Sequence, residues 1–475
     1  MTAVVLLAAG RGVRMKSSRP KVLHEAAGRP LLECALETAL AVAGDPANVV
    51  VVVSKKDSEG DSPKERGMVG AFLAAHHPRV GVAIQDPPRG TGDAVRAAAA
   101  AGGFGNAKTV VVLSGDVPLL SADAVKGLVD ALKADKKAAV AVLTATLANP
   151  AGYGRIVRDK KKSFVRIREE KDSSNKEKGI REINTGTYAF DRAFLEKSLP
   201  VLTSKNSQNE FYLTDVLSLA RKAGRRVLLL EGHPSSALGV NSREDLADVD
   251  RLLRERAVRA AMRGGATILR PETVTLDETV VLGEDTTIEP FVTLLGKTRV
   301  GGGTVVGQGC VVRDTVLGKN VVVKPYCVIE SAVVGDGSIV GPFARLREGT
   351  ELAPGVHVGN FVETKKAKLR EGVKANHLTY LGDTEIGART NVGAGVITCN
   401  YDGYAKHRTT IGADVFVGSD VQLVAPVTVG DGAIVGAGTT VTKDVPKDGL
   451  AVSRTPQRNL EGGGAAYRAR KKKKG

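Results

Sequence analysis

The feature that most limits what this chain can become is a six-residue beat in its second half. Leu282, Ile288, Leu294, Val300, Val306 and Val312 fall six apart. After a slip the beat resumes at Val316, Val322, Val328, Val334, Val340, Leu346, Leu352 and Val358, and it returns from Ile411 through Val417, Leu423, Val429 and Val435 to Val441. A flat strand alternates by two and a helix by about 3.6, so neither produces a strict six. A parallel β-helix does: each hexapeptide forms one side of a triangular coil, its aliphatic residue points inward, and a small residue turns the corner. The beat blurs between Gly359 and Leu381, and "CNYDGYAKHRTT" breaks it before Ile411. Loops that leave a rigid solenoid are natural places for function.

The first half follows another pattern. "AVVLLAA", "NVVVVVS", "VGVAI", "TVVVLSGD" and "AAVAVL" are short apolar runs, as expected of strands buried on both faces. Between them lie amphipathic stretches such as "PLLECALETALAVAG", with Leu32, Leu36, Ala39 and Ala43 on one side. The alternation predicts a Rossmann-like α/β domain, a parallel sheet with helices on both faces and ligands beyond the carboxyl ends of its strands. That domain is placed at 1–240. Residues 241–265 read as a linker helix, with Ser242 as N-cap, Asp245 three residues on, and Gly264-Gly265 as the stop. The β-helix is placed at 266–458, followed by a basic tail, 459–475, expected to be disordered.

A net charge of +16 raises the question of nucleic acid. Part of it lies in the tail "YRARKKKKG", and the remaining cations lack the interleaved aromatics of a single-strand binder. Phosphorylated small molecules are the simpler partners, and no nucleic acid is expected. The four cysteines, Cys34, Cys310, Cys327 and Cys399, form no CxxC pair, which argues against a zinc site or a disulfide framework and fits a reducing compartment. The apolar start is short and has no basic lead, and no segment approaches the ~20 apolar residues of a membrane span. A cytoplasmic protein without a transmembrane segment is expected.

In "LLAAGRGVRMKSSRPKVLH", Arg11, Arg14, Lys16, Arg19 and Lys21 crowd one loop after an apolar strand. The third glycine of a dinucleotide fingerprint is replaced by Met15, and no GKS or GKT follows. Glycines that admit backbone N–H groups to an anion, with cations as countercharge, suggest a nucleoside triphosphate loop of another kind. A merely solvated basic turn is the alternative.

"LAAGRGVRMKSSRPKVL" closely resembles the signature of sugar-nucleotide pyrophosphorylases. With the hexapeptide beat, and with "GTGDA", "SGDVPLL", "GYGRI", "EEKD", "EINTG", "GPFARLR", "GNFVETKKA", "HLTYLGD", "NVGAGVITCNYDG" and "VFVGSD", the chain resembles the bacterial bifunctional N-acetylglucosamine-1-phosphate uridylyltransferase / glucosamine-1-phosphate N-acetyltransferases over nearly its whole length. The resemblance implies a left-handed β-helix, a homotrimer, and synthesis of UDP-N-acetylglucosamine for peptidoglycan and lipopolysaccharide precursors. Acetylation of glucosamine-1-phosphate by acetyl-CoA would come first, then Mg²⁺-dependent uridylyl transfer from UTP to N-acetylglucosamine-1-phosphate.

By that resemblance Leu7, Ala8, Ala9 and Gly10 hold the nucleotide, Arg14 and Lys21 its phosphates, and Gln85, Gly90 and Thr91 its uracil. Asp116 and Asn241 match Mg²⁺ ligands, and oxygen-only ligation suits that cation. Gly154, Glu169 and Asn184 match contacts to the acetylated sugar. In the second domain His377 matches the general base for amine acylation, a task suited to histidine, with Glu363 as a residue that could orient it. Arg345, Lys365, Tyr380 and Asn391 match the glucosamine-1-phosphate pocket. Ala394, Asn400, Tyr401, Ser419, Ala437 and Arg454 match the acetyl-CoA site. Three features depart from the pattern: Ser114 stands where an aromatic residue is common, Asp93 where His is common, and 54–67 is a longer, charged insertion. A related enzyme using another sugar phosphate or nucleotide, and a non-catalytic scaffold, remain as alternatives.

Overall fold

The computed structural model describes residues 1–10, 12–58, 67–453 and 455–472. Contacts divide the chain into two units, 1–254 and 255–475. In the first unit the apolar runs form a nine-stranded sheet. Its strands are β1 (Thr2–Leu7), β2 (Val49–Ser54), β3 (Gly81–Gln85), β4 (Thr109–Ser114), β5 (Ala138–Thr146), β6 (Arg155–Arg158), β7 (Phe164–Arg168), β8 (Glu182–Asp191) and β9 (Arg226–Glu231). The order is β9-β5-β8-β4-β1-β2-β3, with β6 and β7 paired beside β8. β3, β2, β1 and β4 run parallel, and β8 alone on the main path runs antiparallel to its neighbours.

The sheet is buried on both faces. One face packs Leu32, Leu36 and Ala39 of helix α1 (Leu31–Ala43) and, from the helix Ala122–Ala134, Val125 and Leu128. The other packs Ala94, Val95 and Ala98 of α2 (Thr91–Ala100), with Leu195, Val216 and Leu217. Chain order reverses between β1 and β4, whose ends Leu7 and Ser114 are paired. In an open parallel sheet such a reversal opens a crevice at the carboxyl ends of the strands, and ligands bind there.

The helix after this sheet, Arg243–Arg263, starts with a reciprocal cap: Asp245 N–H donates to Ser242 Oγ (3.1 Å), and Ser242 N–H donates to Asp245 Oδ2 (2.9 Å).

The second unit is a left-handed parallel β-helix, two long ladders of very short parallel strands around one aliphatic core. The inward residues correct the sequence reading at three places. Val316 and Val322 are exposed and Val328 only partly buried; their neighbours Leu317, Val323 and Ile329 fill the core. The cause is a shortened step. Val300 pairs with Leu317, so the step from Val312 to Leu317 is five residues instead of six, and a second such step separates Ile329 from Val334. Where the beat blurred, the coils continue through Thr364, Leu369, Ala375 and Leu381. A buried threonine hid the pattern there; Thr364 Oγ1 is satisfied by Thr350 Oγ1 at 2.9 Å.

The tail also departs from expectation. Gly463–Lys472 is helical, with no buried residue. "AAYRARKK" is rich in strong helix formers, and Lys471 lies 5.9 Å over the Tyr467 ring. No helix among the described residues is long and apolar enough to cross a membrane.

Candidate functional sites

A cleft of about 500 Å³ opens at the reversal between β1 and β4. It is lined by Leu7, Ala8, Ala9, Gly10, Lys21, Gln85, Gly90, Thr91, Ser114 and Asp116 among the residues singled out above, and by Glu210 in addition. The walls are built by backbone. Gly115 N–H donates to Leu7 carbonyl and Ala8 N–H to Val52 carbonyl, each at 2.8 Å, so the loops leave their strands side by side. Gly12 has φ +56°, and a Cβ there would stand 2.8 Å from Lys21 Cβ; only glycine lets the loop fold onto this lysine. Gly90 has φ +103°, and a Cβ would lie 2.8 Å from the Phe211 carbonyl.

At the mouth, Lys21 Nζ donates to Asp116 Oδ2 and, at 3.1 Å, to Asn241 Oδ1. Val240 N–H donates to the Asp116 carbonyl (2.9 Å), which ties the two oxygen-bearing segments together. A carboxylate and an amide oxygen thus converge on one cation. Such a hard, oxygen-only donor set fits Mg²⁺, which keeps most of its own waters and takes few protein ligands.

Beside the cleft, Asn184 N–H donates to the Gly154 carbonyl (2.8 Å), and a Cβ on Gly154 would be 3.3 Å from Glu169 Oε2. Gly154, Glu169 and Asn184 therefore form one cluster. Burial pushes the Glu169 carboxyl above the usual carboxylate range, and Asp172, Asp215 and Glu210 add to the rise against one donation from Thr214 Oγ1 (3.2 Å). A carboxylate so placed attracts hydroxyl or amide donors from a ligand. Arg14 stands exposed on the turn Val13–Met15 and does not line the cleft.

On the β-helix, Arg345, Glu363 and Tyr380 occupy one register column on successive coils. Lys365 is flanked by Lys406 and Arg347, whose charges hold its ammonium below the usual lysine range. Glu348, 3.9 Å from Lys365, and Glu363, on Arg347, offset part of this positive charge; the remainder favours an anion. Lys406 comes from the loop that breaks the hexapeptide beat and was missed in the sequence, since nothing local shows which coil the loop folds over. Glu363 accepts from Arg347 Nη1 at 2.7 Å, and among the described residues of one chain it makes no bond to His377.

His377 is exposed at the end of the strand Lys374–His377 and lines a pocket of about 260 Å³ with His357, Asn360 and Asn376. Asn391 lies in register with Lys374 on that same ladder, whereas Arg345 and Tyr380 belong to the other.

Ala394, Ser419 and Ala437 stack on three successive coils, two positions after the paired Val392, Val417 and Val435. This makes a narrow strip of small side chains. Asn400 is buried and donates through Nδ2 to Asp383 Oδ2 (2.5 Å), while Tyr401 is exposed, its hydroxyl donating to the Gly403 carbonyl (2.6 Å). Arg454 lies outside the described residues, as do Arg11 and residues 59–66 of the insertion.

Comparison with known proteins agrees with this division. Residues 4–264 match the model of the MobA-like NTP transferase domain, 271–369 that of the GMPPB C-terminal domain, and 408–443 the bacterial transferase hexapeptide (six repeats). The chain is 45% identical over 474 residues to the bifunctional protein GlmU of Pelobacter propionicus, covering 99% of each chain. The chain belongs to the GlmU family. GlmU proteins of Geobacter metallireducens (46% identity, 97% and 98% covered) and Mycolicibacterium vanbaalenii (46%, 97% and 92%) are similarly close. Like them it is a bifunctional enzyme, a nucleotidyltransferase followed by a hexapeptide-repeat acetyltransferase. The family also accounts for a nucleotide as substrate in the first unit of this GlmU member.

Proposed function

We propose that this GlmU-family chain makes UDP-N-acetylglucosamine in two steps: acetyl-CoA-dependent acetylation of glucosamine-1-phosphate, then uridylyl transfer from UTP with release of pyrophosphate. The convergence of Lys21, Asp116 and Asn241 at the reversal of the sheet carries the second half of this reading. Asp116 and Asn241 would hold Mg²⁺, which supplies charge neutralisation on the phosphates when bound.

In uridylyl transfer the 1-phosphate oxygen of N-acetylglucosamine-1-phosphate attacks the α-phosphorus of UTP, the α–β bridging P–O bond breaks, and pyrophosphate leaves. The protein's contribution is position and charge. Lys21 is held at the mouth to meet the phosphates, Gln85, Gly90 and Thr91 face the base, and the Gly154–Glu169–Asn184 cluster receives the sugar. Arg14, exposed on its turn, would reach the phosphates only when substrate draws the loop in.

In acetyl transfer the glucosamine nitrogen attacks the thioester carbonyl, His377 accepts the proton the amine loses, the C–S bond breaks, and the CoA thiolate is protonated as it leaves. Arg345, Lys365, Tyr380 and Asn391 would hold the sugar phosphate, joined by Lys406. The strip of Ala394, Ser419 and Ala437, with Asn400, Tyr401 and Arg454, would hold the donor. His377 lies on one ladder and Arg345, Lys365 and Tyr380 on the other, so a homotrimer that closes the site between neighbouring copies completes the account. Use of UTP and acetyl-CoA places the reaction in the cytoplasm, upstream of peptidoglycan and lipopolysaccharide precursors.

The test is to give the purified chain glucosamine-1-phosphate, acetyl-CoA, UTP and Mg²⁺ and follow free thiol and pyrophosphate separately. Thiol should appear without UTP, and pyrophosphate only when acetyl-CoA is present. Pyrophosphate released equally well with GTP or dTTP, or thiol release independent of the amino sugar, would contradict the reading.

A further inference from the structure

Gln85 ends β3 inside the nucleotide cleft, 4% exposed, and its amide is held in one orientation. Gln85 Nε2 donates to the Gly90 carbonyl and to Asp93 Oδ2, each at 3.0 Å. Both partners are acceptors only. The Gly90 carbonyl also takes the Ala94 N–H (3.1 Å), and Asp93 Oδ1 takes Arg89 Nη2 (3.3 Å). The nitrogen must therefore face them, and both amide hydrogens are used. Among the described residues no donor of the chain reaches Gln85 Oε1, which is left to the cleft.

We infer that Asp93 is a positioning residue for base selection: by taking one Gln85 hydrogen while Gly90 takes the other, it makes Gln85 Oε1 an obligate acceptor. This deepens the uridylyl-transfer reading and rests on it. An acceptor at that place selects a pyrimidine whose ring edge offers an N–H, as the N3 imide of uracil does. Cytosine presents a lone pair at N3, so two acceptors would oppose one another, and a buried polar group left unpaired is what makes such discrimination steep. Asn at position 93 could present its own NH₂, and Gln85 could then turn and offer a donor to the cleft.

The experiment measures kcat/KM for UTP, dTTP and CTP with N-acetylglucosamine-1-phosphate and Mg²⁺, for the full chain and for Asp93→Asn, Asp93→Glu, Gln85→Ala and Gln85→Ala/Asp93→Asn. Asp93→Asn should narrow the UTP-to-CTP ratio by roughly tenfold or more, and leave UTP-to-dTTP unchanged because both bases carry the same imide edge. Asp93→Glu, still acceptor-only, should keep the UTP-to-CTP preference even if all rates fall. In the Gln85→Ala background, Asp93→Asn should alter the ratio no further. An Asp93→Asn chain that loses UTP and CTP turnover by one common factor, or that shifts the ratio equally without Gln85, overturns the role of Asp93. A wild-type chain with no preference for UTP over CTP overturns the uridylyl-transfer reading beneath it.

Discussion

The ammonium of Lys21 donates to the carboxylate of Asp116, 95 residues further along the chain. The meeting follows from topology. β1 and β4 are parallel neighbours, so the loops that leave them emerge at the same edge of the sheet, one bearing the lysine and the other the aspartate. Asn241 joins from a third segment, just before the capped helix Arg243–Arg263.

Asp116→Ala is therefore expected to lower uridylyl transfer by about 10²–10³-fold while acetyl transfer in the other unit continues. EDTA should have the same split effect on the native chain. Pyrophosphate and thiol, measured side by side, check both; retained pyrophosphate release in the variant would remove Asp116 from the metal site.

His377→Ala should lower acetyl transfer by about 10²–10⁴-fold, the range for loss of a general base. Uridylyl transfer to pre-acetylated sugar should persist. Because Glu363 is paired with Arg347 rather than with His377, Glu363→Gln should raise the KM for glucosamine-1-phosphate through Arg347 and leave the pH profile of kcat in place. A displaced profile would restore Glu363 as a partner of the base.

Lys406→Ala is expected to raise the KM for glucosamine-1-phosphate roughly tenfold, with the KM for acetyl-CoA changed less. The effect should shrink at high salt, since Lys406 is exposed and its field is screened. Steady-state kinetics at two ionic strengths check it.

The Glu169 carboxyl has its folded pKa raised by burial. The folded chain then holds a proton that the unfolded chain has lost, so stability falls as pH rises from the ordinary glutamate value through the raised one. Glu169→Gln removes that penalty. Its melting temperature should exceed that of the wild type by about 2–4 °C at neutral pH, with a smaller gain near pH 4, while sugar binding weakens. A gain that is larger in acid would reverse the assigned sign.

Leu317 and Val316 separate the true core of the β-helix from the one read in the sequence. Leu317→Ala should cost about 2–5 kcal/mol, and Val316→Ala only about 0.5 kcal/mol or less, because Leu317 is 1% exposed and Val316 43%. Denaturant melts of both variants decide the register.

These cases show what could be read from residue order and what could not. The two architectures were legible because strand burial and coil packing impose their own periods on local sequence. The register inside the coil slipped where adjacent aliphatic pairs such as Val316-Leu317 made either residue a plausible core member, and where Thr364 took an inward place with its hydroxyl satisfied. Most of the residues that line the cleft at the β1–β4 reversal could be picked out because they sit in compact motifs at strand ends. Lys406 beside Lys365, Arg347 on Glu363 and Asp93 on Gln85 were not, since each is a contact created by the path of a loop or by the stacking of coils and strands. The tail helix was missed because helix propensity can act where no apolar stripe exists.

The central claim, two separable chemistries in one chain, is tested most directly by mixing Asp116→Ala with His377→Ala. Each variant alone, given glucosamine-1-phosphate, acetyl-CoA, UTP and Mg²⁺, should yield almost no UDP-N-acetylglucosamine by mass spectrometry, and the mixture should produce it readily. Full product from either variant alone, or a mixture as silent as its parts, would contradict the assignment of the two reactions to these two sites.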